Sequence, residues 1–161
     1  MKGQLKYLLF PILLVVIYNA CVKKKTYSDI PEIGFKYFTP FANDSAVLDI
    51  TYSDGNGDIF KNDGDTAYNV FMHYYYKDTV SLKYVRYDSI YTVIPPLYYT
   101  MRKPKDSYDG KPISGDVAFQ INKFRPSHIL KAFKYSKYVI YIIDNAGHKS
   151  NVLTTPELYV P

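Results

Sequence analysis

The residues that decide the fold read Ala46-Val47-Leu48-Asp49-Ile50-Thr51-Tyr52, followed at once by Ser53-Asp54-Gly55-Asn56-Gly57-Asp58-Ile59. The first run alternates, so that Leu48, Ile50 and Tyr52 share one face, as in a half-buried strand. The second run consists mainly of Asp, Asn and Gly, which favour tight turns. Together they predict a β-strand that ends in an acidic loop.

The rest of the chain repeats this pattern of short strands and turns, without a long amphipathic helix. Further strands are predicted at 33–38, 68–76, 82–93 (as two short strands), 113–121, 138–143, and 151–153 with 158–160 as one interrupted last strand. Within 68–76, Tyr68 and Val70 are expected on one face, and Asn69 and His73 on the other. One short helical turn is expected at 124–133. Roughly seven or eight short strands predict an all-β fold, an antiparallel β-sandwich.

The N-terminus has the three parts of an export signal. Residues 1–7 contain two lysines and no acid, residues 8–17 form a short apolar run, and Ala20 lies just before Cys21. A basic segment, an apolar segment of this length and a small residue before the cleavage point define a signal peptide. The apolar run is too short to span a bilayer comfortably, although an uncleaved membrane anchor is the alternative. Residues 1–20 are therefore predicted to be a signal peptide.

Cys21 is the one cysteine of the chain, and it lies where the signal ends. An exported chain with one cysteine cannot form an internal disulfide, so the thiol needs another role. The spacing is that of a bacterial lipoprotein, in which this cysteine carries a covalent lipid that anchors the mature chain. Residues 21–32 are then the lipidated cysteine and a linker. Residues 33–161, about 130 residues, are enough for one domain with its own core.

The positive charge of the chain is consistent with this lipid anchor. The formal net charge is +5, and loss of residues 1–20 removes two of the lysines. Lys23, Lys24 and Lys25 lie beside the lipidation point, where anionic headgroups attract them. Because an exported chain does not meet nucleic acid in its ordinary surroundings, a nucleic-acid partner is not expected.

The acidic loop has the composition of a cation site. The candidate ligands, all with side-chain oxygens, are Asp54, Asn56, Asp58, Asp63 and Asp65. Alternating oxygen side chains on a tightly turning backbone are how proteins hold Ca²⁺. The segment is not an EF-hand, because Ile59 stands where that loop needs Gly. Two interpretations stay open: a calcium-binding β-loop, or a metal-free turn in which Asp and Asn side chains bond the nearby backbone.

Three patterns in order resemble one group of proteins. They are the lipoprotein start, the loop 53–59, which is similar to Asp-Gly-Asp-Gly-Asp-Ile-Gly, and the turn 143–151, which is similar to Asp-x-Ala-Gly-Asn-x-Ser-Asn. The chain thereby resembles uncharacterised Bacteroidota lipoproteins with an immunoglobulin-like β-sandwich. In this chain Asn56 replaces an acid of the loop pattern, and His148 replaces an Asn of the turn pattern. The resemblance implies a fold and an outer-membrane address, and it implies no activity.

An immunoglobulin-like order also predicts which loops meet. In that order, the loop after the second strand and the loop before the last strand lie at the same end of the sandwich. Residues 53–65 and 144–148 are then neighbours. The hypothesis is that Asp144 completes a Ca²⁺ site begun by Asp54 and Asp58, so that the ion holds the two loops together.

No pattern in the sequence indicates catalysis. His73, His128 and His148 lack the spacing of metal ligands, and His73 is expected to be a wall or surface residue. A Gly-x-Ser-x-Gly nucleophile motif and a phosphate-binding Gly-rich loop are missing from the sequence. The chain is therefore predicted not to be an enzyme.

The abundance of tyrosine has two interpretations. The chain has 19 tyrosines and no tryptophan, and strand alternation sends neighbours such as those at 74–76 to opposite faces. Ordinary filling of the sheet surface and core is the favoured interpretation, and the alternative is that exposed rings stack on sugars or form protein interfaces. We expect a non-catalytic binding or structural accessory lipoprotein with an unknown envelope protein as partner; the alternative is a glycan-binding lipoprotein. The charges at 23–25 favour the periplasmic face of the outer membrane over the cell surface.

Overall fold

The computed structural model describes residues 26–41, 45–87, 97–103, 110–122 and 132–159. The strands in these ranges are β1 (Glu32–Pro40), β2 (Ala46–Asp54), β3 (Val70–Lys77), β4 (Tyr84–Arg86), β5 (Leu97–Tyr99), β6 (Ile113–Ile121), β7 (Tyr135–Ile142), β8 (Leu153–Thr154) and β9 (Leu158–Tyr159). These ranges contain no α-helix, and therefore none long and apolar enough to cross a membrane.

The strands form two antiparallel sheets that pack against each other. The small sheet has the order β1-β2-β6, and the large sheet the order β4-β3-β7-β8, where β5 also pairs with β3 and β9 with β7. An immunoglobulin domain places its first, second and fifth strands opposite its third, sixth and seventh in the same way. The predicted all-β fold, an immunoglobulin-like antiparallel β-sandwich, is confirmed.

Most of the predicted strands are present, and the described ranges contain more strands than expected. The interrupted last strand forms two separate pieces, β8 and β9, on either side of Pro156. Strand β5 has no predicted counterpart, because it begins directly after Pro95-Pro96, which indicates a strand end. The predictions for 88–93 and for most of the helical turn at 124–133 lie outside the described residues.

The core lies between the two sheets and consists of inward residues of the long strands. Leu48 and Ile50 of β2 and Ile140 of β7 belong to one cluster, and all three are fully buried. Tyr138 is also fully buried, and its ring contacts those of Phe38 and Tyr74, with centroids 6.0 and 5.5 Å away. The alternation in the sequence of β2 therefore predicts correctly which face of the strand is buried.

The alternation at the start of the third strand gives the wrong faces. Tyr68 is 57% exposed, whereas Asn69 is fully buried. The cause is that β3 begins only at Val70: the Asn69 backbone bonds the carbonyl of Tyr99 and the amide of Ile143 instead. From Val70 onward buried and half-buried residues alternate as predicted, and His73 faces outward.

Candidate functional site

The loop after β2 and the turn after β7 meet at one end of the sandwich. The backbone N–H of Asn145 donates to the carbonyl of Asp58 at 3.1 Å. The Asn145 side-chain Nδ2 donates to the carbonyl of Phe60 at 2.8 Å. The predicted neighbourhood of segments 53–65 and 144–148 is therefore confirmed, because the immunoglobulin-like strand order brings both loops to this end.

The acidic loop is folded by its own side chains. Asp54 Oδ2 accepts the N–H of Ile59 at 2.9 Å, and Asp54 Oδ1 accepts the N–H of Asn56 at 3.3 Å. Asn56 Oδ1 in turn accepts the N–H of Asp58 at 3.3 Å. Gly57 has a φ of 74°, a conformation that other residues adopt only with strain. The sequence leaves two interpretations of this loop open, and these contacts match the metal-free turn.

Three carboxylates are crowded at this end. Asp54 is fully buried and Asp144 is 2% exposed. Burial raises the pKa of Asp54, and the charges of Asp58 and Asp144 add to that effect. Burial likewise raises the pKa of Asp58, with repulsion from Asp144 as the next cause, while the backbone of Ala146 opposes it. Asp58 Oδ1 is buried and has no hydrogen-bond partner in the described part of the chain.

Asp144 mainly closes its own turn. Its Oδ1 accepts the backbone N–H of His148 at 2.7 Å, and its Oδ2 lies 3.0 Å from Nδ1 of the His148 ring. Gly147 has a φ of 89° and allows the chain to reverse there. Both oxygens of Asp144 are therefore directed at His148, and the two contacts close the turn.

The structure brings together only part of the predicted ligand set. Asp54, Asp58 and Asp144 are neighbours, whereas Asn56 directs its oxygen to the loop backbone. Asp65 Oδ1 caps the N–H of Ala67 at 2.9 Å in the next turn, where Asp63 is exposed. Within the described ranges, no three His, Cys, Asp or Glu side chains form a group that could hold a metal ion. The three aspartates are thus close enough to repel one another.

Asn69 organises this end and is not identified by the sequence analysis. Its Nδ2 donates to the carbonyl of Ile59 at 2.7 Å, and its Oδ1 accepts the N–H of Met101 at 2.8 Å. It is fully buried, so both bonds form away from water. Asn69 therefore joins the acidic loop to the segment after β5. The sequence holds no signal for this role, because both partners are backbone groups distant along the chain.

The segment before β1 is attached to the same end. The N–H of Gly55 donates to the carbonyl of Ser28 at 2.7 Å, and the Tyr27 hydroxyl donates to Ser114 Oγ at 2.7 Å. A Cβ on Gly55 would lie 2.6 Å from the Tyr27 carbonyl oxygen. Only glycine at 55 permits this approach. The last residues of the predicted linker, 26–31, thus belong to the folded body, and the predicted lipidation residue Cys21 lies outside the described residues.

A second candidate site is the outward surface of the large sheet, called here the aromatic face. Its central strands β3 and β7 point outward with Phe71, His73, Tyr75, Lys77, Tyr135, Lys137, Val139 and Tyr141. Tyr98 of β5, Arg86 and Tyr84 of β4, and Tyr159 of β9 extend the same surface through their pairing with these strands. Aromatic and cationic side chains therefore dominate this face.

The aromatic rings are in mutual contact at both ends of the face. At the end near the acidic loop, Phe71 stacks on Tyr141 with centroids 4.9 Å apart and meets Tyr98 edge-on at 5.2 Å. At the other end, Tyr135 lies 5.6 Å from Tyr159. Tyr98, Tyr135 and Tyr159 are 38%, 42% and 55% exposed, so a bound molecule has access to aromatic carbon at each end.

Cationic side chains lie over these rings. Lys149 Nζ is 3.9 Å from the centroid of Tyr141, Lys137 Nζ is 4.4 Å from that of Tyr84, and Lys77 Nζ is 5.4 Å from that of Tyr135. Contacts of this kind hold an ammonium group in place without neutralising it. Arg86 is held by a hydrogen bond instead, with its Nη2 2.7 Å from His73 Nδ1. Consistent with the expectation for His73, this side chain is part of an outward wall.

Comparison with protein-family models, with curated proteins and with solved structures gives no match to this chain.

Proposed function

We propose that this chain is a lipid-anchored lipoprotein of the cell envelope that acts as a non-catalytic binding or structural accessory module. The observation that carries the proposal is the aromatic face: a β-sandwich that exposes contiguous rings on one sheet has a surface suited to recognition. The buried carboxylates support the absence of a catalytic role. Asp54 and Asp144 each hold a backbone N–H of their own loop, so they serve the fold.

The anchor is proposed from the sequence around Cys21, and the contact at Tyr27 limits how far the domain can move. From Cys21 to Tyr27 the chain spans at most about 20 Å when fully extended. Tyr27 itself is fixed to Ser114. A lipid on Cys21 would therefore keep the acidic-loop end close to the bilayer. The resemblance to Bacteroidota lipoproteins favours the outer membrane, and the charges at 23–25 favour its periplasmic face.

Replacing Cys21 by alanine is expected to abolish lipid attachment. The variant should not incorporate radiolabelled fatty acid, and it should move from the membrane pellet to the soluble fraction after cell lysis. The thermal unfolding of its folded body should be unchanged, because the sandwich begins beyond the cysteine. Fatty-acid labelling that survives in the Cys21→Ala variant would contradict the proposed anchor.

A glycan-binding role is the second candidate, and the exposed rings at both ends of the aromatic face favour it over other ligands of a binding module. Tyr98→Ala in the full-length protein should then abolish saturable binding to a glycan array. Tyr37→Ala is the control, since Tyr37 is 49% exposed on the small sheet. A membrane protein that co-purifies with the chain, with no glycan bound, would favour the protein-binding role instead.

We also propose that Ca²⁺ stabilises the acidic-loop end, with Asp54, Asp58 and Asp144 as the carboxylates that hold it. The support is the buried, unpartnered Oδ1 of Asp58 together with the mutual repulsion of the three groups. At about 100 times its dissociation constant, Ca²⁺ should add about 2.7 kcal/mol to the unfolding free energy. Thermal melting with excess Ca²⁺ and with a chelator measures this. Coincident curves would rule the ion out.

The variant Asp58→Asn tests the repulsion among these carboxylates in the absence of a metal ion. In chelator at pH 7 it should be more stable than the original chain, because it removes the charge that Asp144 and burial disfavour. Since the folded pKa of Asp58 is raised above 3.8, the difference should shrink as the pH falls through that raised pKa and vanish below 3.8, where both states are protonated. Melting curves between pH 7 and pH 3 measure it, with the exposed Asp63→Asn as control. A difference independent of pH would contradict the repulsion.

A further inference from the structure

The aromatic face carries an excess of positive charge at fixed positions. Its cations are Lys77, Arg86, Lys137 and Lys149. The carboxylate of Glu157 opposes this charge and lies 2.8 Å from Lys77 Nζ. The hydrogen bond from Lys77 is the largest cause of the lowered pKa of Glu157. Lys137 and Lys149 lie over tyrosine rings, so their positions are set in advance of binding, which reduces the ordering cost of holding an anion.

The face is long, with rings at the ends and cations between and beside them. Phe71 and Lys77 are six positions apart on β3, which corresponds to about 20 Å along the sheet. Tyr98, Phe71 and Tyr141 form a cross-strand row at one end. Such a surface matches an extended ligand that offers apolar ring faces to the tyrosines and repeated negative groups to the lysines.

The composition argues against a protein partner and against a bilayer surface as the occupant. Protein interfaces share the aromatic rings and the arginine of this face but are depleted in lysine, whereas lysines lie at both ends of it. Binding to a bilayer needs apolar side chains that insert into it. Of the outward positions on β3 and β7, only Val139 is aliphatic. A polymer of sugar rings bearing carboxylates or sulfates fits the remaining chemistry.

We infer that the aromatic face binds an anionic polysaccharide, with tyrosine rings against the sugar faces and lysines against the acidic groups. The inference rests on the proposed role of the chain as a binding module, and it names the class of ligand and the surface. It assigns Lys137 and Lys149 as the residues that select charged over neutral polymers.

The test uses the full-length protein in detergent and two matched pairs of polymers. Polygalacturonate is compared with its fully methyl-esterified form, and dextran sulfate with dextran, by isothermal titration. At least one polyanion should bind about tenfold or more tightly than its neutral counterpart. Its affinity should fall as salt rises, because Lys149 is exposed and Lys77 and Lys137 are only half-buried, so that salt screens their charges. Failure to bind either polyanion, or equal binding of charged and neutral forms, overturns the inference.

The double variant Lys137→Gln, Lys149→Gln locates the binding surface. Each solvent-exposed ion pair contributes about a two- to fivefold effect, so the double variant should bind the polyanion about tenfold more weakly at an unchanged melting temperature. The control is Lys36→Gln, which removes a lysine 5.5 Å from a tyrosine ring on the opposite sheet. Equal loss in the control would show non-specific attraction, and it would overturn the inference.

Other outcomes separate this inference from the proposed function. Tight binding of the neutral polymers alone would leave a glycan-binding module and would remove the assigned selectivity. If the protein binds vesicles that contain phosphatidylglycerol and binds neither polyanion, the surface faces a membrane. That result would also overturn the inference. In either case the Cys21→Ala result stands, because lipid attachment is independent of what the sandwich binds.

Discussion

Replacing Tyr138 by alanine is expected to lower the unfolding free energy by about 4 kcal/mol, the range found for removal of a large buried aromatic side chain. The ring is fully buried between the sheets and contacts Phe38 and Tyr74. Its removal would leave a cavity that two paired sheets cannot close. Urea unfolding followed by circular dichroism measures the loss.

Tyr135→Ala is the matched control for that variant. Tyr135 lies on the same strand but faces outward and is 42% exposed, so its removal should cost less than about 1 kcal/mol. Similar losses for the two variants would mean that β7 does not present its alternate residues to different sides, which would contradict the packing of the sandwich.

Replacing Asn69 by leucine is expected to cost about 3 kcal/mol, although the two side chains have similar sizes. The variant leaves the carbonyl of Ile59 and the N–H of Met101 buried without their partner. Each unpaired buried group costs about 1 to 3 kcal/mol. Urea unfolding gives the total, and hydrogen exchange should show faster exchange of the Met101 amide, which bonds the Asn69 side chain directly.

Two further variants test whether the loss in Asn69→Leu comes from the two side-chain hydrogen bonds. Asn69→Asp keeps the acceptor for Met101, and at a pH where the new acid is protonated its O–H can still donate to the carbonyl of Ile59, so its loss should be smaller than that of Asn69→Leu. Asn62→Leu changes an exposed residue of the neighbouring turn and should alter stability by about 0.5 kcal/mol or less. An Asn69→Leu protein as stable as the original would show that the two loops hold together without this side chain.

The sandwich could be predicted because its signals are local. In β2, Leu48 and Ile50 alternate with more polar neighbours, and this alternation alone identifies the buried face. The turns carry Asp, Asn and Gly for conformational reasons that act within a few residues, as at Gly57 and Gly147. Strand β5 lacked such a signal, since three residues after two prolines form a strand only through pairing with β3.

The candidate site could be predicted only in part. The strand order indicates that the acidic loop and the 144–148 turn meet, and the structure confirms it. The order does not indicate that Asp144 bonds His148 or that Asp54 bonds Ile59, because those choices depend on side-chain geometry. The burial of Asn69 depends on backbone groups more than 30 residues away, such as the Met101 amide, and no local pattern encodes it.

The docking of Tyr27 and Ser28 at Gly55 has a mechanical consequence for a chain held by its N-terminus. A pulling force applied from that side would first load the bond between Ser28 and Gly55 and the contact of Tyr27 with Ser114. Strand β1 would be loaded only after those contacts break. Tension applied to the N-terminal segment would therefore be absorbed at the acidic-loop end, and the sheets behind it would keep their shape.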